Sequence, residues 1–458
     1  MGWHRALSRG PLIFIVLVLL AGVGLWVRYT DWRSTVISGW LPVTEDPNAP
    51  PQVKTGVTKE ILAQTLTQSL PRGIFPSEVA LPKDKLPTRV VLQYAFDVSL
   101  QDSLERLVKS YAPDYGAVVV MDATTGRVLS MISSTSDPQI QDNLALRATF
   151  PSASVFKVVT AAAAIEARKL HSESLMAYNG GKHTLYKHNV LKSNENRFSH
   201  RVTLREAFAS SINSVFGRIG AFVIGSERLS HFADRFAFNR KINSDLPVQT
   251  GKAIIPRDDW GLAETASGYT RDNTMSPLQG ALISAAIVNR GIMMEPYIIE
   301  SAHTADGTPL YRVEPKVMSI TVDHSTADEL KELMRETITH GTSRKSFRGF
   351  FKSKYSKIDV GGKTGSLTGT DPVGKYDWFV GYADDGKRKI AISALTVHRK
   401  YWKVKSSYLA RRAIELYYQS PRVTSSLASG MDSDLASGIA GKQARKIGSV
   451  TPRGSKAN

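Results

Sequence analysis

The chain has no cysteine in its 458 residues, which excludes disulfides, cysteine-ligated zinc and thiol catalysis. Negative charge is also in short supply. Asp and Glu number 41 against 59 Lys and Arg, a formal net charge of +18. The cations are dispersed and form no compact arginine-rich motif, so nucleic acid is not the expected partner. Anionic lipid headgroups and an anionic cell wall attract such charge equally well. Internal repeats are absent. Hydrophobic residues make up 42%, and a chain of this length builds cores without disulfide staples.

Long apolar runs are lacking too, with one exception. Residues 11–27, PLIFIVLVLLAGVGLWV, carry no charge, and Arg5 and Arg9 precede them. The run is long for a signal peptide, and the bulky Leu25-Trp26-Val27-Arg28 offers no small-x-small cleavage site. An uncleaved transmembrane anchor is therefore expected, with residues 1–10 cytoplasmic. Residues 28–88 are rich in proline and read as a stalk or small pedestal with one short helix near 59–70. Residues 421–458, rich in Ser, Gly, Ala and Lys and without aromatics, read as a disordered basic tail.

Between them, 89–96 reads as a strand and 99–108 as an amphipathic helix capped by Ser99. Two β-rich runs, 116–121 and 127–132, flank the turn Asp122-Ala123-Thr124-Thr125-Gly126 and predict a hairpin. A long helical stretch follows: 155–169, a helix opened by the capping box Thr203-Leu204-Arg205-Glu206, then 275–289 and 326–339. Strands return at 358–364, 378–382 and 389–397, and a helix at 406–418 closes the pattern. Two strands, a helical insertion and three strands imply an α/β (α+β) fold. Its mostly antiparallel five-stranded sheet is flanked by helices and carries an inserted all-helical lobe.

Three short stretches carry the chemistry. Ser154-Val155-Phe156-Lys157 opens a helix, and the hydroxyl and the amine stand three positions apart, so both project from one face. A serine hydroxyl needs a neighbouring base, and a lysine serves only when deprotonated. Burial and a second cation lower its pKa, and Lys363 is the candidate cation. Ser211-Ile212-Asn213, within a second helical region, offers a proton-relaying hydroxyl and a positioning amide. Lys363-Thr364-Gly365-Ser366, after Gly361-Gly362, offers a cation and a hydroxyl for a substrate carboxylate. Gly361, Gly362 and Gly365 leave that strand bare for an added peptide strand. The Ser366 N–H is expected to form an oxyanion hole with the Ser154 N–H. Each triplet alone is weak; their order and context together are not. Ser154, Asn213 and Lys363 are expected to meet at the seam between lobe and sheet. A phosphate loop is rejected, because Lys357 stands where that motif needs glycine. His183 and His188 fit no zinc spacing and read as surface residues; no metal or cofactor is expected.

On these motifs, residues 89–420 resemble the transpeptidase domain of the penicillin-binding proteins. Further stretches carry the same resemblance: Asp97-Val98-Ser99-Leu100-Gln101, Val118 to Asp122 with Thr125 to Leu129, and Ser276-Pro277-Leu278-Gln279. Asn289-Arg290-Gly291, Pro296, Gly341-Thr342 and Asp377-Trp378-Phe379-Val380-Gly381-Tyr382 add to it. The resemblance implies a penicillin-binding transpeptidase/β-lactamase-like fold. It implies acyl transfer on D-Ala-D-Ala stem peptides, with β-lactams as covalent inhibitors. By motif match, Ser154 is nucleophile, Lys157 base, Ser211 relay and Asn213 positioning residue, while Lys363, Thr364, Gly365 and Ser366 face substrate. The catalytic part is expected on the periplasmic side of the cytoplasmic membrane, in contact with lipid, and a glycan polymerase is a candidate partner. A D,D-carboxypeptidase, a β-lactamase, and a non-catalytic sensor or scaffold are the alternatives.

Overall fold

The computed structural model describes residues 56–67, 69–70, 73–81, 88–168, 170–192 and 195–419. All of these lie in one compact unit, Val53–Asn458. The expected anchor at 11–27, the first part of the stalk and the expected tail at 421–458 fall outside the described residues. Among the described residues no helix is long and apolar enough to cross a membrane.

The run from Ala117 to Met121 is apolar at every position because both of its faces are covered. It lies in β1 (Tyr115–Asp122), which forms a hairpin with β2 (Val128–Thr135). At the turn, Asp122 Oδ1 accepts the Thr124 and Thr125 N–H groups at 2.8 and 3.0 Å. Three further strands are β3 (Asp359–Thr370), β4 (Val373–Asp384) and β5 (Lys389–His398). They complete a five-stranded antiparallel sheet in the order β3-β4-β5-β1-β2, with β3 at one edge. Both β3 and β4 run well beyond the expected 358–364 and 378–382. The glycines and threonines that shorten the sequence pattern are held in one unbroken ladder from Asp359↔Asp384 to Thr370↔Val373.

The faces of β1 divide the core. Val118 and Val120 point to α1 (Val98–Tyr111) and to the C-terminal helix Ser406–Gln419. Ala117, Val119 and Met121 point the other way, into the larger core shared with the helical lobe. Asp97, not Ser99, caps α1: its carboxylate accepts the Leu100 N–H at 3.0 Å, and Ser99 lies inside the first turn.

The lobe is built on α2 (Lys157–Arg168), whose alanines 161–164 are all fully buried. Its other helices are α3 (Leu204–Ala209), α4 (Asn213–Arg218) and α5 (Asp259–Ser267). The Thr203–Glu206 capping box forms as the sequence predicts. Beside the sheet, α6 (Pro277–Val288) is buried at every residue, as a helix apolar all round must be. Helix α7 (His324–Thr339) lies against β3. Among the described residues the lobe also carries short antiparallel pairs, Phe150–Pro151 with Thr274–Met275 and Leu175–Tyr178 with His200–Thr203.

A second antiparallel sheet, Glu78–Leu81, Thr88–Tyr94, Ile299–Thr304 and Pro309–Arg312, has no counterpart in the sequence reading beyond the strand at 89–96. Its strands are short and its two halves are about 200 residues apart in the chain, so no local pattern announces their pairing. Residues expected only as a stalk thus join strands from the far side of the chain, and the short helix near 59 forms at Lys59–Thr65.

Candidate active site

Ser154 stands in a single 3₁₀ turn, Ala153–Phe156, that feeds directly into α2. Strand β4 holds this turn from behind, since the buried Trp378 indole donates to the Pro151 carbonyl at 2.9 Å. The turn also abuts β3. A Cβ on Gly365 would lie 3.3 Å from Ala153 Cβ and 3.3 Å from the Ser152 oxygen, so glycine lets the strand close on the serine. Gly361 and Gly362 serve a different purpose from the expected one. A Cβ there would strike the rings of Tyr382 and Phe379 at 2.5 and 2.3 Å, so these two glycines admit aromatic side chains rather than a peptide.

Lys157 is fully buried, and its Nζ makes three hydrogen bonds. It donates to Ser154 Oγ at 2.8 Å, to Asn213 Oδ1 at 2.7 Å and to the Ser267 carbonyl at 2.5 Å. The Asn213 amide is oriented by its own nitrogen, which donates to the His183 carbonyl at 2.7 Å. Asn213 Oδ1 and the Ser267 carbonyl can only accept. A neutral amine has two hydrogens and one lone pair. Once deprotonated, Lys157 gives its hydrogens to those two acceptors and turns its lone pair to Ser154. Burial, and then the charge of Lys363, hold Lys157 well below the usual lysine range.

The Ser267 carbonyl lies just before Gly268, the left-handed cap of α5 with φ +67°. A Cβ on Gly268 would stand 2.0 Å from the Ala153 carbonyl oxygen, so only glycine brings the end of α5 against the serine turn. The second helical region expected around the Ser211 triplet is interrupted there, and Asn213 is the first residue of α4. Ser211 has φ +56° in the break between α3 and α4, and Ile212 caps α4. That break turns Ser211 Oγ toward Lys363 Nζ, which donates to it at 2.9 Å. Lys363 also donates to the Thr364 carbonyl at 2.8 Å, and burial pushes its pKa down to about 7. Phe216 lies 5.7 Å from the Lys157 nitrogen and Phe208 lies 5.5 Å from that of Lys363.

Thr364 Oγ1 is 2.6 Å from Thr342 Oγ1, and Ser366, which is exposed, donates to Asp377 Oδ1 at 3.3 Å. The structure thus brings Ser154, Lys157, Ser211, Asn213, Lys363, Thr364, Gly365 and Ser366 to one seam between lobe and sheet. Sequence reasoning missed the Ser267 carbonyl and the place of Thr342. The first is a backbone atom with no residue signature. The second lay in the Gly341-Thr342 pair, without anything local to aim it at Thr364. His183 and His188 are exposed, and the His183 carbonyl accepts from the Asn213 amide.

The arrangement joins a hydroxyl to a buried amine, with a second hydroxyl–amine pair beside it at the edge of the sheet. Residues 116–415 match the family model of the penicillin-binding protein transpeptidase domain. Among curated relatives, the peptidoglycan D,D-transpeptidase PbpA of Mycolicibacterium smegmatis is 27% identical over 318 residues, covering 62% of each chain. Stage V sporulation protein D of Bacillus subtilis is 24% identical and matches over 62% of this chain and 45% of its own. The match thus spans about 62% of the length of the first of these relatives. In fold, the chain is similar to the crystal structure of PBPA from Mycobacterium tuberculosis, with TM-score 0.60 and 24% identity over 72% of this chain and 82% of that one. Matched over well more than half its length by that model, the chain belongs to the penicillin-binding protein transpeptidase family.

Proposed function

We propose that the chain is a peptidoglycan D,D-transpeptidase that cross-links stem peptides through an acyl-enzyme on Ser154. The observation that carries this is the 2.8 Å contact between Ser154 and a buried lysine whose other two bonds go to obligate acceptors. Lys157, as the free amine, takes the Ser154 proton while Oγ attacks the carbonyl carbon of the penultimate D-Ala. The C=O electron pair moves onto oxygen, which the Ser154 and Ser366 N–H groups receive. The tetrahedral species collapses, the C–N bond breaks, and terminal D-Ala leaves as an amine. Ser211 Oγ accepts from Lys363, so its own hydrogen is free to go to that leaving nitrogen, and the proton that Lys157 took from Ser154 balances the transfer. An acceptor amine then attacks the ester. It loses its proton to Lys157, a new amide forms, and Ser154 leaves with a proton.

Transfer is preferred to hydrolysis for one reason. Among the described residues, no carboxylate hydrogen-bonds to Ser154, Lys157, Ser211 or Asn213, so water at the ester has no base beyond the Lys157 amine that also serves an acceptor amine, and the amine is the stronger nucleophile. The structure of penicillin-binding protein A from M. tuberculosis as a penicillin G acyl-enzyme complex supports the same use of the site with β-lactams. The test is to supply a D-Ala-D-Ala donor with and without an acceptor amine, and to follow intact mass and products. An acyl adduct, released D-Ala and a cross-linked peptide are expected. Release of D-Ala without cross-links would make the enzyme a carboxypeptidase.

A pH profile follows from Lys363. It holds a terminal carboxylate as the ammonium, which is present below its pKa of about 7 and lost above it. Lys157 becomes a free amine at lower pH than an ordinary lysine does. The kcat/KM for a donor ending in a carboxylate should therefore fall as pH rises through about 7. A donor whose terminal carboxylate is replaced by a neutral amide should lack that falling limb. Identical profiles for the two donors would remove Lys363 as the carboxylate's partner.

The location we propose is the cytoplasmic membrane, with residues 11–27 as anchor and the catalytic unit on the extracytoplasmic side. The uncharged run, Arg5 and Arg9 ahead of it, and the net charge of +18 support that placement beside anionic lipid. A glycan polymerase working on the same wall is the proposed protein partner.

A further inference from the structure

Strand β3 is the open edge of the main sheet, but not all of that edge is free. In an antiparallel ladder, residues of one parity turn both backbone groups to the same side. The Thr364 carbonyl accepts from Lys363 Nζ, and the Thr368 carbonyl accepts from Arg271 Nε at 2.8 Å. Donors on the lobe side of β3 reach both carbonyls, so both point to the cleft, and Ser366, midway between them, shares their parity. Its N–H and C=O face the cleft with both neighbouring carbonyls on that side already occupied. A peptide strand added here has one place to take a complete pair of bonds, and that is Ser366.

This fixes a direction, given the acyl-transfer reading on which the inference rests. The terminal carboxylate lies toward Lys363 and Thr364, and the reacting carbonyl lies at Ser366. The donor residues ahead of it then run toward Thr368, antiparallel to β3, and the guanidinium of Arg271 meets them there. Arg271 sits on the segment that follows α5, exposed, bridging from the lobe to the sheet. Among the described residues it has no ion pair. Its neighbour Asp272 instead accepts from Thr270 Oγ1 at 3.2 Å. The guanidiniums near the β3–β4 turn differ, since Arg147 pairs with Asp371 and Arg399 with Asp137. With Nε engaged on Thr368, the two terminal nitrogens of Arg271 remain as a fork of the kind that grips a carboxylate with two bonds.

We propose that Arg271 is a specificity residue that reads a carboxylate on the donor peptide, one or two residues upstream of the residue acylated on Ser154. The enzyme then takes acidic donors in preference to donors with an uncharged amide at that place. The test uses two donors identical except for carboxylate or carboxamide there. In the wild type, kcat/KM should favour the acid by about 10- to 100-fold, mainly through KM, as one charge-assisted pair allows. Arg271→Ala should bring the ratio near one, and Arg271→Lys should keep part of it. Penicillin labelling of each variant reports whether the serine site has folded. A ratio unchanged in Arg271→Ala would make the residue a brace between lobe and sheet and overturn the inference. So would a wild type that reacts with both donors alike. A wild type that neither donor nor penicillin acylates would instead sink the catalytic reading beneath it.

Discussion

Ser154→Ala is expected to abolish covalent labelling by penicillin, and with it all acyl transfer. The loss is total because the ester needs an oxygen on that side chain, and no neighbour can replace it. The next hydroxyl in the site, Ser211, is bonded to Lys363 rather than Lys157, and the hydroxyls of Thr342 and Thr364 face each other. The fold should be indifferent to the change, since Ser154 is only partly buried and sits in a turn held by Trp378 and by Gly365. A melting temperature within a few degrees of wild type, with no adduct by intact mass, is the expected pair of readings. Labelling that persists in the variant would remove Ser154 as nucleophile.

Lys157→Met should retain the nucleophile and lose its base. General-base assistance of this kind contributes roughly 10²- to 10⁴-fold, so the second-order rate of acylation should fall by about that factor. Methionine fills nearly the same buried volume, yet it leaves Asn213 Oδ1 and the Ser267 carbonyl without their donor. Each orphaned acceptor costs about 1–3 kcal/mol, so stability should drop as well. Lys157→Arg separates the two effects. It restores donors to the two acceptors, but a guanidinium does not deprotonate, so acylation should remain low while part of the stability returns. Stopped-flow acylation by a chromogenic β-lactam, set beside thermal unfolding, decides the matter. An arginine variant that acylates at the wild-type rate would show that Lys157 acts by charge and not as a base.

Much of this site was legible in the chain. Ser154 and Lys157 are one helical step apart, and a periodicity argument alone brings their side chains together. The Thr203–Glu206 cap and the hairpin turn at Asp122 were readable for the same reason, because their partners lie within a few residues. The reading faltered where partners are remote. The glycines at 361 and 362 looked like a path for a peptide, and the rings of Tyr382 and Phe379 occupy the space beside them. Ser211 looked helical, whereas a left-handed residue aims it at Lys363.

The amino-acid sequence by itself determined which reactive groups exist, their order, and the local turns and helix starts that carry them. Those follow from spacing within about one helical turn, where covalent geometry leaves few choices. Only the tertiary structure decided that a lysine on one helix is desolvated, that a backbone carbonyl at the end of another shares its protons, and that Arg271 closes off part of a strand edge. Burial and long-range contact set the protonation state of an amine and the accessibility of a carbonyl, and neither is a property of any short stretch of chain.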